Sequence, residues 1–172
     1  MSARLTMAIR IGDAAKAIFL KTKSFPDSTF IDGEDWSKHE HIGVEPMLLA
    51  LSMELALKAW FVFDYDNPEF KRTHNLIILF DALKQESQKK LDDQFKNSVV
   101  PYHPNNLYIN YGIRDILYQH QDAFVDWRYL HERRKTSMKF DSGAFESTLK
   151  MVLQEFRKRY HIAPALTFHS HR

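Results

Sequence analysis

The residues from Glu45 to Phe63 form the most apolar long stretch of the chain, and they constrain the fold more than any other segment. Apolar side chains occupy nearly every angle around the helix that this stretch predicts, and Pro46 is tolerated in its first turn. A helix that is apolar all round lies inside a protein, so we expect a central helix here. Glu54 and Lys58 interrupt the stretch at positions i and i+4, in the favourable order for an ion pair.

The rest of the chain alternates helical periodicity with short joints and shows no convincing strand. We predict an all-α fold, an up-and-down helical bundle of four to five core helices with an additional N-terminal helix. The chain of 172 residues fits one domain, with its core at about residues 45–160. Gly12 and Asp13 offer a break in the first helix, and Thr73 is the expected N-cap of a later one. The other predicted helices cover 2–23, 74–83, 86–99, 110–132 and 144–161, with an irregular segment at 24–43 and a loose tail at 162–172.

Composition excludes several classes of protein. The chain has no cysteine, which rules out disulfides, thiolate metal sites and a cysteine nucleophile, and suits a reducing cytoplasm. A net charge of +2 creates no strong field that would attract polyanions. The N-terminus is too polar for a signal peptide, and no run of about 18 apolar residues predicts a membrane span. We therefore expect a cytoplasmic protein without membrane contact. His39-Glu40-His41 lacks a metal-binding spacing, and we expect no metal or cofactor.

The stretch from Asn110 to Glu132 carries most of the polar chemistry and predicts one long helix. Its apolar residues follow the 3.6-residue period of a buried stripe, and His120 falls in the middle of that stripe. The members of the stripe are Ile113, Ile116, Leu117, Phe124 and Trp127.

Arg114, Asp115 and His120 form the sharpest candidate site in this stretch. A guanidinium can bind a phosphate with two hydrogen bonds, and an imidazole can move protons near neutral pH. Together they could cleave RNA through attack of the ribose 2′-OH on its own phosphate. The alternative is a core or interface histidine with Arg114 on the solvated rim. On a straight helix the two side chains lie about 120° apart, so a kink or a two-fold dimer would be needed to bring them to one phosphate.

Charged residues elsewhere predict structural roles. Arg128 and Glu132 have i, i+4 spacing, and Arg128 could also reach Glu54 as a buried ion pair, with Lys58 as the local alternative partner. Two basic segments, 133–135 and 157–159, could touch a nucleic acid backbone, but nearby carboxylates favour solvated faces.

Three segments in order resemble the HEPN superfamily (higher eukaryotes and prokaryotes nucleotide-binding). They are Leu51-Ser-Met-Glu54-Leu-Ala-Leu-Lys58-Ala, Thr73-His74-Asn-Leu76, and Phe124-Val-Asp-Trp127-Arg128-Tyr129-x2-Glu132. The resemblance covers roughly residues 45–160, and the order of the elements carries it more than any single motif.

The resemblance implies a four- or five-helix bundle, usually dimeric. Many members resemble metal-independent endoribonucleases of toxin–antitoxin, abortive-infection and CRISPR systems, whose motif is Arg, a polar residue and then His. By this resemblance His120 would handle the proton, Arg114 would bind the phosphate, and Asp115 would orient one of them. Other members are binding modules, often beside a nucleotidyltransferase.

Two functional hypotheses follow. The first is a homodimeric endoribonuclease or RNA-binding, toxin-like protein, with an interface around residues 108–121 and an antitoxin as a further partner. The second is a non-catalytic HEPN-like module that docks a partner or a nucleotide. They differ in where Arg114 and His120 lie: a shared cleft favours catalysis, and a sealed His120 favours the module.

Overall fold

The computed structural model describes residues 3–24, 44–100, 111–129 and 140–167, the last seven of these by their backbone alone. These ranges contain seven helices and no strand, which confirms the predicted all-α bundle. The helices are α1 (Ala3–Thr22), α2 (Val44–Tyr65), α3 (Leu76–Asp81), α4 (Gln85–Ser98), α5 (Ile113–Gln119), α6 (Ala123–Arg128) and α7 (Ser142–Thr167).

Helix α2 is the central helix, as its sequence predicts. Leu49, Met53 and Leu57 have no solvent exposure, and buried residues occur along the whole helix. By length and composition α2 could also cross a membrane, but 67% of its most apolar window is buried inside the protein. Its apolar character is therefore accounted for by its place in the bundle core.

Helix α1 is more regular than expected, and α7 is longer than expected. The break predicted at Gly12 and Asp13 is wrong, because α1 continues through both residues. A side chain at Gly12 would place its Cβ 2.6 Å from Cε1 of Phe156, so this glycine permits a close approach of α1 to α7. The expectation of a loose tail from residue 162 is also wrong in part, since α7 extends to Thr167.

The single helix predicted from Asn110 to Glu132 is wrong, because the backbone turns between α5 and α6. At the turn the Gln121 carbonyl accepts a hydrogen bond from the Leu76 amide at 3.0 Å. The Asn75 side-chain amide donates to Gln121 Oε1 at 3.2 Å and to Asp122 Oδ1 at 3.0 Å. The start of α3 thus holds the break in place.

Asn75 also replaces Thr73 as the N-cap of α3. Its Oδ1 accepts a hydrogen bond from the Ile78 amide at 3.0 Å, while Thr73 Oγ1 accepts from the Asn75 amide at 3.1 Å. The prediction that Thr73 caps this helix was therefore wrong by two residues, because the longer asparagine side chain serves both the helix end and the α5–α6 turn.

A buried polar cluster fastens α2, α4 and α7 together. The Asp64 side chain has no solvent exposure and pairs with Arg159 Nη1 at 2.8 Å. It also accepts hydrogen bonds from Ser87 Oγ at 2.7 Å and from the Lys84 amide at 3.1 Å. The guanidinium of Arg159 lies 4.9 Å from the Trp60 ring centroid. Arg159 therefore points inward, and the solvated face expected for residues 157–159 is wrong for this residue.

Candidate functional site

His120 follows the last residue of α5 and is sealed inside the bundle. Its exposed fraction is 5%, and its ring lies 4.6 Å from Phe140 and 5.1 Å from Phe145 between ring centroids. Its Nε2 is buried and has no hydrogen-bond partner in the described part of the chain. Burial lowers the pKa of His120 below its ordinary value, and Asp141 opposes this shift to a smaller extent. Burial among aromatic rings therefore favours the neutral form of the imidazole.

Arg114 lies in the first turn of α5, on its exposed side. Its Nε and Nη2 donate to the two carboxylate oxygens of Asp81 at 3.1 and 3.0 Å, so the pair is bidentate. Hydrogen bonding to Asp81 raises the pKa of Arg114, which stays charged. The arginine is 57% exposed, and its partner is 43% exposed. Arg114 is thus a surface cation with a weakly held partner.

Asp115 has a local role at the start of α5. Its Oδ2 accepts a hydrogen bond from the Gly112 amide at 2.7 Å. The neighbouring Ile113 amide donates to Asp92 Oδ1 at 3.0 Å. Both carboxylates satisfy amides that the first turn of a helix leaves unpaired. Asp115 is therefore engaged as a helix cap, and none of its described contacts joins it to His120.

An open groove between α4 and α5 contains two of the three predicted catalytic residues. It has a volume of about 520 Å³, and its lining includes Arg114, Asp115, Lys89, Lys96 and Asp92. His120 is absent from the lining of this groove. Within one chain the structure therefore brings Arg114 and Asp115 to one surface and places His120 in the core.

The predicted pairing of Glu54 with Arg128 is wrong. Glu54 is 4% exposed and pairs with Lys58 Nζ at 2.5 Å, which confirms the local alternative. Its other oxygen lies 2.8 Å from His74 Nδ1. Arg128 instead lies 5.9 Å from the Phe124 ring centroid, because the turn before α6 changes the direction of this segment. Glu132 lies outside the residues that the structure describes.

Sequence reasoning missed His74 as a candidate functional residue. The histidine precedes α3 and reaches Glu54, which lies 20 positions earlier. No periodicity links the two, because the contact crosses the joint between α2 and α3. The only available signal in the sequence was Glu54, an acidic residue on an apolar helix, whose carboxylate needed a second partner besides Lys58. The segment His39-Glu40-His41 lies outside the described residues.

Fold and groove together define an all-α helical bundle with a mixed-charge groove between two of its helices. The chain was compared with protein-family models, curated proteins and solved structures, and none of these comparisons gave a match. The resemblance to the HEPN superfamily therefore stays a prediction from the sequence.

Proposed function

We propose that this protein is a HEPN-like helical bundle that binds RNA in the α4–α5 groove and does not cleave it with Arg114 and His120. The observation that supports this proposal is the separation of the two residues: Arg114 lines the open groove, and His120 is 5% exposed in the core. A general base must come within hydrogen-bond reach of the proton that it removes. The resemblance to HEPN proteins supplies RNA as the class of ligand.

The groove has cations that can contact a phosphate backbone. Lys89, Lys96 and Arg114 all line it. Lys96 pairs with Asp92 at 2.6 Å, and Arg114 pairs with Asp81, but exposed pairs of this kind contribute little free energy and can be exchanged for a phosphate. Lys89 forms no ion pair with another residue in the described part of the chain.

Carboxylates limit the strength of this interaction. Asp92 and Asp115 line the same groove, and Asp81 holds Arg114. The positive and negative charges nearly balance, so we expect modest affinity that falls steeply with salt, as for other contacts to phosphate backbones. The hypothesis of a non-catalytic module can therefore be tested by substitutions in the α4–α5 groove.

The first prediction concerns RNA affinity, measured by fluorescence anisotropy of a labelled single-stranded oligoribonucleotide over a range of salt concentrations. Arg114→Ala and Lys89→Ala should each weaken binding and lower the salt slope by about 1, as for one lost phosphate contact. Asp81→Asn should strengthen binding, because it releases the Arg114 guanidinium. Lys150→Ala, which removes an exposed lysine from α7, serves as the matched control.

Arg114→Ala and Asp81→Asn are expected to change RNA affinity in opposite directions, and Lys150→Ala tests whether these changes depend on position. General electrostatic attraction would change with net charge alone, and Lys150→Ala would then weaken binding as much as Lys89→Ala. Equal affinity in all four variants, or no RNA binding at low salt, would contradict the proposal. In that case a protein partner would become the better-supported ligand for the module.

A further inference from the structure

His74 and Glu54 form a dyad that no part of the proposed RNA groove includes. Nδ1 of His74 lies 2.8 Å from Oε2 of Glu54, whose side chain is 4% exposed. Because a carboxylate accepts hydrogen bonds, this contact assigns the proton of a neutral His74 to Nδ1. The other ring nitrogen, Nε2, then carries the free lone pair. The His74 side chain is 49% exposed, so a ligand can approach the ring.

Lys58 fixes the second oxygen of the same carboxylate. Its Nζ lies 2.5 Å from Glu54 Oε1 and is itself only 11% exposed. The Lys58 ammonium also lies 5.0 Å from the Phe70 ring centroid. Glu54 therefore cannot rotate freely, and it holds the imidazole of His74 in one orientation. A carboxylate that fixes a histidine in this way is a recurrent arrangement where the imidazole binds a ligand or exchanges a proton with it.

Arg128 lies beside the same aromatic side chain as His74. The His74 and Phe124 ring centroids are 4.7 Å apart, and the Arg128 guanidinium carbon is 5.9 Å from the Phe124 centroid. Arg128 is exposed, and its described contacts are with the rings of Phe124 and Tyr129. Among the described residues no carboxylate pairs with it, so none of these competes for its hydrogen-bond donors.

We propose that His74 and Arg128 form a binding site for a phosphate group, which we call the His74–Arg128 site. The guanidinium of Arg128 donates two hydrogen bonds to phosphate oxygens, as its planar fork allows. Nε2 of His74 donates to a phosphate oxygen when the ring is protonated, and accepts from a phosphate or ribose hydroxyl when the ring is neutral. Glu54 acts as the positioning residue. This inference holds whether or not the α4–α5 groove binds RNA.

The test follows the nine histidine side chains by long-range ¹H–¹⁵N NMR at constant pH, with His74 assigned from the spectrum of His74→Gln. The protein is titrated separately with inorganic phosphate, adenosine monophosphate and a short oligoribonucleotide. We expect the His74 ring nitrogens to shift in a saturable way with at least one ligand. Arg128→Ala should weaken that affinity about tenfold, as for a lost charge-assisted contact, and Arg128→Lys should retain part of it.

The three ligands distinguish the source of the phosphate. Equal affinities for inorganic phosphate and the mononucleotide would show that the site recognises an isolated phosphate group. Tighter binding of the oligoribonucleotide would show that it recognises a nucleic acid backbone. Lys150→Ala, which removes an exposed lysine outside both this site and the α4–α5 groove, should leave the His74 shifts unchanged. The proposal is overturned if no ligand shifts the His74 signals of the folded protein, or if Arg128→Ala binds as tightly as wild type.

Discussion

The imidazole of His120 packs against the rings of Phe140 and Phe145, and its buried Nε2 has no hydrogen-bond partner among the described residues. A buried polar atom without a partner reduces stability, because its hydrogen bonds to water are lost on folding. The sequence placed His120 among apolar residues, and His120 is buried, but the predicted stripe assumed one continuous helix, whereas α5 ends at Gln119. The sequence could not show whether the stripe faced a partner or the core, because Phe140 and Phe145 come from a segment 20 or more positions later.

The prediction at this scale is a stability change in His120→Leu, which keeps similar volume and removes the unpaired nitrogen. The free energy of unfolding in urea should rise by about 1–3 kcal/mol at pH 7.5. The folded pKa of His120 is lowered from 6.5, so the unfolded chain binds its proton more readily. This titration leaves the free energy of unfolding of wild type unchanged above pH 6.5. The free energy of unfolding then decreases as the pH falls from 6.5 towards the folded pKa of His120.

The gap between His120→Leu and wild type should therefore widen from pH 7.5 to pH 5. The other eight histidines are present in both proteins, so their titration cancels in the comparison. A wild-type protein that gains stability relative to the variant on acidification would show that His120 is charged in the folded state.

At the scale of helices, the long periodic segments were predictable and the joints were not. The apolar pattern of α2 identified the central helix because burial on all sides needs apolar residues on all sides. The break between α5 and α6 depends on Asn75, which lies 46 positions before Gln121. The periodicity of apolar residues within one segment cannot reveal a contact between residues so far apart in the sequence. The same reason explains why the inward orientation of Arg159 was missed.

The buried polar cluster around Asp64, which joins α2, α4 and α7, gives the prediction at the scale of helices. Arg159→Ala should lower the free energy of unfolding by about 3–5 kcal/mol, because it leaves the Asp64 carboxylate buried without its cation. Arg4→Ala removes an arginine from an exposed pair with Asp66 and should cost no more than about 1 kcal/mol. Chemical denaturation of both variants measures the difference. Equal losses would mean that the Asp64 cluster does not fasten the helices.

For the whole molecule, the fold class was predictable and the assembly was not. The expected homodimer relied on a long helix with an apolar stripe that a single bundle could not cover. Ile113, Ile116 and Leu117 are fully buried within one chain, because the turn at residues 120–122 brings α5 against the core. That reason for an interface is therefore wrong. A homodimer, an antitoxin and a nucleotidyltransferase partner stay predictions that rest on the resemblance alone.

The most direct test of the account is incubation of total RNA with wild-type protein and with His120→Leu at neutral pH. The leucine variant keeps the core filled, and a circular dichroism melt confirms that it is folded. We expect the two proteins to leave the RNA in the same state, because His120 has no access to a substrate. RNA cleavage by wild type that disappears in folded His120→Leu would contradict the account and restore Arg114 and His120 as a catalytic pair.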